Sequence, residues 1–188
     1  MRPKYHTRAI VLARSPQGEA NANLLLLTEE FGLIRARAQG IRNPGAKLAG
    51  ALQTFFECEV VLIRGKDTWR ISGATLERSF ASELSVSARL RAGRISSLLA
   101  RLIRGESSDP SAFLIFQGLL DSLITATEPE GEVAECLAAL RILRGLGLDA
   151  GEIPGEESSY DEETLKEASA ARKGLVMRVN RGIKASGL

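Results

Sequence analysis

Apolar and polar positions alternate with period two through the first 80 residues and recur at helical spacing in the rest. Residues 7–14 form an apolar run flanked by Arg8 and Arg14, and the turn signal Ser15-Pro16-Gln17-Gly18 follows. A second run covers Ala22 to Thr28, and a turn at Gly32 leads into Leu33 to Ile41. In that third segment Leu33, Arg35, Arg37 and Gln39 share one parity, while Ile34, Ala36, Ala38 and Gly40 share the other. A strand sends alternate side chains to opposite faces, so the two arginines share a face and the small apolar residues lie behind them. Residues 42–50 read as a loop from their proline, glycines and basic residues. Phe55 to Ile63 and Trp69 to Leu76 are the last two strands, joined by a turn at Arg64-Gly65-Lys66-Asp67. Five short strands with glycine-bearing turns predict a small closed or partly open barrel.

The period changes near Ser82. Leu90, Ile95, Leu98, Leu99, Leu102 and Ile103 mark one helix, and Asp109-Pro110 opens another whose stripe runs from Phe113 to Ile124. A third helix is expected over about Val133 to Leu146, and a last helical stretch over about Glu162 to Arg181. Between these two, residues 149–161 read as a flexible acidic loop. No period of 20–50 residues repeats, which argues against a solenoid.

Charge sharpens this division. The net charge of +2 says little, but residues 1–80 hold 12 lysines and arginines against 7 acids, and residues 81–188 hold 13 against 16. Such asymmetry points to a polyanion-binding half joined to an acidic one. Cys58, Cys136 and the single His6 are far apart, whereas a structural zinc site takes about four such ligands. The two cysteines make no disulfide framework, in keeping with a reducing cytosol. The N-terminus has no signal-peptide core, and the run Leu24 to Leu27 is far short of the ~20 residues of a membrane span. A soluble cytoplasmic protein without membrane contact, associated with the nucleoid, is expected.

None of the phosphate-loop, dinucleotide, nucleophile-elbow or zinc-protease signatures occurs, so the chain is not expected to be an enzyme. Phosphate binding needs cations spread over one surface, because each neutralised phosphate releases condensed counterions. The candidates in the barrel half are Lys4, Arg8, Arg14, Arg35, Arg37, Arg42 and Lys47, with Arg2 at the start of the chain. Arg35, Arg37, Arg42 and Lys47 are the first choices. Arg172, Lys173, Arg178, Arg181 and Lys184 are secondary candidates, and equally the solvated end of a terminal helix. Stacking aromatics are few: Tyr5, Phe31, Phe55, Phe56 and Trp69 are the candidates, and most of them are better placed as core, so a sequence-tolerant electrostatic contact is expected.

Several segments, in their order, resemble the RecO family of recombination mediators. Tyr5 to Leu12 resembles its opening strand. Gly18-Glu19-Ala20-Asn21 followed by Leu24 to Thr28 resembles its second. Gly32 to Arg42 resembles the third strand and its basic exit, Leu48 to Phe55 the approach to the fourth, and Arg64-Gly65 the turn after it. Arg181 to Ser186 is loosely similar to the family's ending. The resemblance implies an α+β chain: an N-terminal OB-fold (oligonucleotide/oligosaccharide-binding) β-barrel over residues 1–80, then an all-α helical domain over 81–188. It implies binding of single- and double-stranded DNA, strand annealing and help in recombinase loading, with a RecR-type protein and single-strand-binding protein as partners. Many members carry a four-cysteine zinc module where this chain has the acidic loop 149–161, so no zinc or other cofactor is expected. The alternative is a protein-interaction module of a repair complex that does not touch DNA.

Overall fold

The computed structural model describes residues 3–43, 45–46, 48–66, 68–156 and 158–187. The chain divides into two compact units: residues 1–83 with 105–113, and residues 84–104 with 114–188.

The first unit is built on five strands, β1 (Lys4–Gln17), β2 (Asn21–Thr28), β3 (Gly32–Ala38), β4 (Phe56–Arg64) and β5 (Trp69–Ser79). They close into a barrel in the order β1-β2-β3-β5-β4. All neighbours are antiparallel except β3 and β5. This is the OB barrel. β1 pairs with β4 through its first half and with β2 through its second. A register shift between Val11 and Ala13 supplies the bend that lets one strand serve both neighbours. The alternation seen in the sequence has its cause here. Val11, Leu24, Leu26, Ile34, Ala36, Val60, Leu62, Trp69 and Ile71 fill the interior, each at most 4% exposed.

β3 ends at Ala38, three residues before the expected end at Ile41. Gly40 takes a φ of +65°, a left-handed turn that stops the ladder, and its N–H donates to Asn21 Oδ1 at 3.0 Å. Ile41 still packs into the barrel core. That is why the apolar pattern ran past the strand. A four-residue helix, α1 (Phe80–Glu83), follows β5.

The second unit holds α2 (Val86–Leu102), most of α3 (Ser111–Thr125), α4 (Glu128–Gly145), α5 (Glu162–Ala170) and α6 (Arg172–Ala185). Ser85 caps α2 by accepting from the Ala88 N–H, and Asp109 Oδ1 accepts the Ser111 N–H at 2.9 Å where α3 begins. α4 is buried along most of its length, with Leu137 and Leu140 wholly inside, and it packs against α2, α5 and α6. Ala168 of α5 and Leu175 of α6 join the same cluster.

The last helical stretch is two helices, not one. The break falls at Ala171, whose φ and ψ are −90° and 2°. Ala168 and Leu175 are seven residues apart and share one face, so the apolar period continues straight across the break. Among the described residues no helix is long and apolar enough to cross a membrane.

Candidate nucleic-acid interface

Sheet register decides which cations of the barrel stand together. Arg35 and Arg37 lie on the outer face of β3, because Ala36 and Ala38 between and beside them are buried. In the parallel β3–β5 pairing, Arg37 is the partner of Arg70. Arg70 is exposed on β5 and alternates with the buried Trp69 and Ile71. The row then continues through Ile63 of β4 to Lys4 of β1. On its other side Arg37 pairs with Asn23 of β2, which pairs with Ser15 of β1. One cross-strand row thus carries Lys4, Arg70 and Arg37, with Arg35 one outward position along β3. Neighbouring strands are about 4.8 Å apart, so Arg37 and Arg70 are held side by side by the backbone.

Among the described residues, no carboxylate ion-pairs with Arg35, Arg37, Arg70 or Lys4. The Nε of Arg37 is buried without an acceptor. Like charges directly opposite each other destabilise a sheet, and a bound anion removes that repulsion. Arg42 extends the cationic surface at the exit of β3: its Nη1 donates to the Gly18 carbonyl at 2.7 Å and its backbone N–H to that of Ala20 at 3.0 Å. Those contacts fix the β1–β2 turn beside it. Lys66 is exposed in the β4–β5 turn, where the Thr68 hydroxyl donates to the Arg35 carbonyl at 2.8 Å.

Other candidates are engaged elsewhere. Arg8 grips Glu29 with Nε and Nη2 at 2.8 and 2.7 Å, reaches Glu57 at 3.3 Å, and stands 5.1 Å from the Phe113 ring centroid. Its hydrogen bonds to Glu29 raise its pKa and lower that of Glu29. Arg8 is a barrel fastener, and it stands apart from the row. Arg14 has interior parity and turns its Nη1 to the Leu52 carbonyl at 3.4 Å. Lys47 and Arg2 lie outside the described residues.

The secondary candidates lie in the helical unit. Arg178 holds Asp149 through Nε at 3.0 Å and the Glu152 carbonyl through Nη1 at 2.6 Å, while Arg181 approaches Asp149 at 3.7 Å. The Asp149 side chain is fully buried, and the Arg178 hydrogen bonds hold its carboxyl below the ordinary range. Arg172 pairs with Glu132 at 2.7 Å. Lys173 and Lys184 are exposed. Three of the five therefore bind carboxylates of their own chain.

The described residues of stretch 149–161 are held by hydrogen bonds to the helical unit. Besides the Asp149 contacts, Arg141 donates to the Pro154 carbonyl at 2.9 Å, and Tyr160 donates to that of Ile115 at 3.1 Å. Asp161 caps α5 and is lowered to about 2, chiefly by the Ser159 hydroxyl. A zinc module does not fit these residues, because the stretch contains neither cysteine nor histidine. Cys58 is buried in the barrel with its thiol donating to the Ala9 carbonyl at 3.6 Å, and burial pushes it up to about 12.

The helical unit also has an apolar groove of about 720 Å³ between α2, α4 and α6, lined by Leu90, Leu98, Ala139, Val176, Val179 and Ile183. Leu90 is 61% exposed there.

Likeness to known proteins bears on this geometry. Residues 1–80 match the family described as "Recombination protein O N terminal". Over 129 residues the chain is 34% identical to the DNA repair protein RecO of Dehalococcoides mccartyi, an alignment covering 67% of this chain and 50% of that relative. With RecO of Heliobacterium modesticaldum the identity is 32% over 156 residues, or 79% and 56% of the two chains. With that of a Nocardioides species it is 29% over 171 residues, or 89% and 68%. The chain spans about half the length of the first two of these relatives.

Proposed function

The chain belongs to the RecO family, and on that premise we propose that it serves recombinational DNA repair by binding and annealing DNA strands on its barrel. The observation that carries the reading is the group Arg35, Arg37 and Arg70, aligned by β3 and β5 without carboxylate partners among the described residues. Lys4 and Arg42 extend it, and Lys47 is assigned to it by sequence.

The proposed mechanism is electrostatic. Two DNA strands repel until their phosphates are neutralised, and a cationic surface lowers that barrier. Base pairing then supplies the energy of annealing, and no covalent step is involved. Contacts to phosphate carry no sequence information, so single and double strands of any sequence are bound. Assistance to recombinase loading follows if the annealing surface works on strands already coated by single-strand-binding protein.

The test is the annealing of complementary oligonucleotides, bare and coated with single-strand-binding protein. The parent chain accelerates annealing, and Arg37→Ala/Arg70→Ala loses most of that acceleration while staying folded. Equal acceleration by both removes the row from the reaction.

A second reading is favoured by the groove between α2, α4 and α6: the helical unit holds a partner protein, and the chain acts as an interaction module. The partners the family implies are a RecR-type protein and single-strand-binding protein. Leu90→Glu places a charge in the groove. Its loss of co-purification with either partner supports this reading, and oligonucleotide binding by the same variant separates it from the first.

A further inference from the structure

The segment between α2 and α3 folds back onto the barrel. Glu106 makes an isolated antiparallel bridge with Gly32, and the Ser107 N–H donates to the Phe31 carbonyl at 3.1 Å. One carboxylate oxygen of Glu106 takes two donors: the indole N–H of Trp69 at 3.0 Å and Arg64 Nη2 at 3.3 Å. The other oxygen lies 3.1 Å from the same Arg64 nitrogen. Arg64 also stands 5.2 Å from the Trp69 ring centroid, and Trp69 packs on Tyr5 and Phe31 at 5.4 and 5.3 Å between centroids.

A guanidinium over an indole face, with the indole N–H converging on the same acceptor, has the parts of an anion site. Arg64 and Trp69 are partners across β4 and β5, at the last residue of one strand and the first of the other. They take the opposite parity to Arg70, so the pair stands at the end of the barrel next to the outward cationic row and not in it. We propose that Arg64 and Trp69 form a phosphodiester subsite for a nucleic-acid strand, and that Glu106 fills it as an internal substitute until the strand displaces it. The proposal rests on the DNA-binding reading above and adds a self-occupied subsite to it.

The occupant is suited to leave. The side chains of Arg64 and Glu106 are 61% and 39% exposed, and an ion pair so open to solvent holds weakly. Two left-handed glycines flank the contact, Gly32 at φ +65° and Gly105 at φ +92°. At Gly32 a Cβ would stand 3.1 Å from the Ser107 nitrogen, so glycine is what allows the close approach. Carboxylate and phosphate offer a guanidinium the same kind of acceptor, and a strand brings several phosphates where Glu106 brings one charge.

Trp69 is the only tryptophan in the chain, so its emission reports on the subsite directly. The full chain is titrated with oligothymidylate, and affinity (anisotropy of a labelled oligonucleotide) is measured beside Trp69 emission. Binding shifts the emission of the parent chain. Glu106→Gln and Glu106→Ala bind about 2–5-fold more tightly at low salt, the range expected for removing an exposed competing pair. Arg64→Ala in the Glu106→Ala background abolishes the gain. Normal oligonucleotide affinity that ignores Glu106 and leaves Trp69 emission unmoved overturns the subsite alone. Failure of every variant, and of the parent, to retain oligonucleotide overturns the DNA-binding reading and the subsite with it.

Discussion

Arg37 and Arg70 are direct partners in the parallel pairing of β3 with β5, two cations set opposite each other on the outer face of a small barrel. A sheet gains nothing from this arrangement by itself, since like charges facing across strands are destabilising where an opposite-charge pair would contribute roughly 0.2–1 kcal/mol. Arg70→Gln relieves the repulsion, and urea unfolding at low salt should show stability raised by about 0.5 kcal/mol. The gain should fade at high salt, where surface charges are screened. A loss of about 1 kcal/mol or more means that Arg70 supports the fold through contacts of its own.

Arg8 shares the outward parity of its strand but has the opposite role. Its guanidinium joins Glu29 and Glu57, so Arg8→Ala takes one cation away from each acid and should cost about 1–2 kcal/mol of stability. Oligonucleotide affinity of the folded variant should stay within about twofold of the parent, less than 0.5 kcal/mol. Denaturant unfolding and anisotropy on the same preparation separate the two effects. A tenfold loss of affinity without a loss of stability returns Arg8 to the DNA surface.

Asp149 gives the helical unit an acid sensitivity of its own. Its carboxyl is held below its ordinary value of 3.8, first by the Arg178 hydrogen bonds. A depressed folded value means that the stabilisation is complete above the unfolded value and drains away as pH falls through the folded one. Between about pH 5 and pH 2, the parent chain should therefore lose stability more steeply than Asp149→Asn. At neutral pH the variant should be less stable by about 2 kcal/mol. Thermal melts across that range check the sign, and parallel pH profiles remove Asp149 from the account.

The sequence made some of this plain and hid the rest for physical reasons. Arg35 and Arg37 on one face follow from period two along a single strand, and so do the five strands and the buried alanines between the arginines. Arg70 carries the same outward parity, yet its place beside Arg37 depends on a parallel pairing between strands separated by all of β4. No local pattern encodes that register. The engagement of Arg8 with Glu29 and Glu57, and of Arg178 with Asp149 across 29 positions, is tertiary in the same sense. A composition count scores each of these arginines as a free cation. The break at Ala171 was hidden because Ala168 and Leu175 keep the helical period on both sides of it.

The central claim is that Arg35, Arg37 and Arg70 jointly carry DNA phosphates. The most direct test is the affinity of a labelled single strand across a salt series, for the parent chain and for Arg35→Ala/Arg37→Ala/Arg70→Ala. Three lost phosphate contacts should flatten the dependence of log affinity on log salt by about 2, at roughly 0.7 per contact, with a weakening that is the same for every sequence. Superimposable salt lines for the two proteins would contradict the claim.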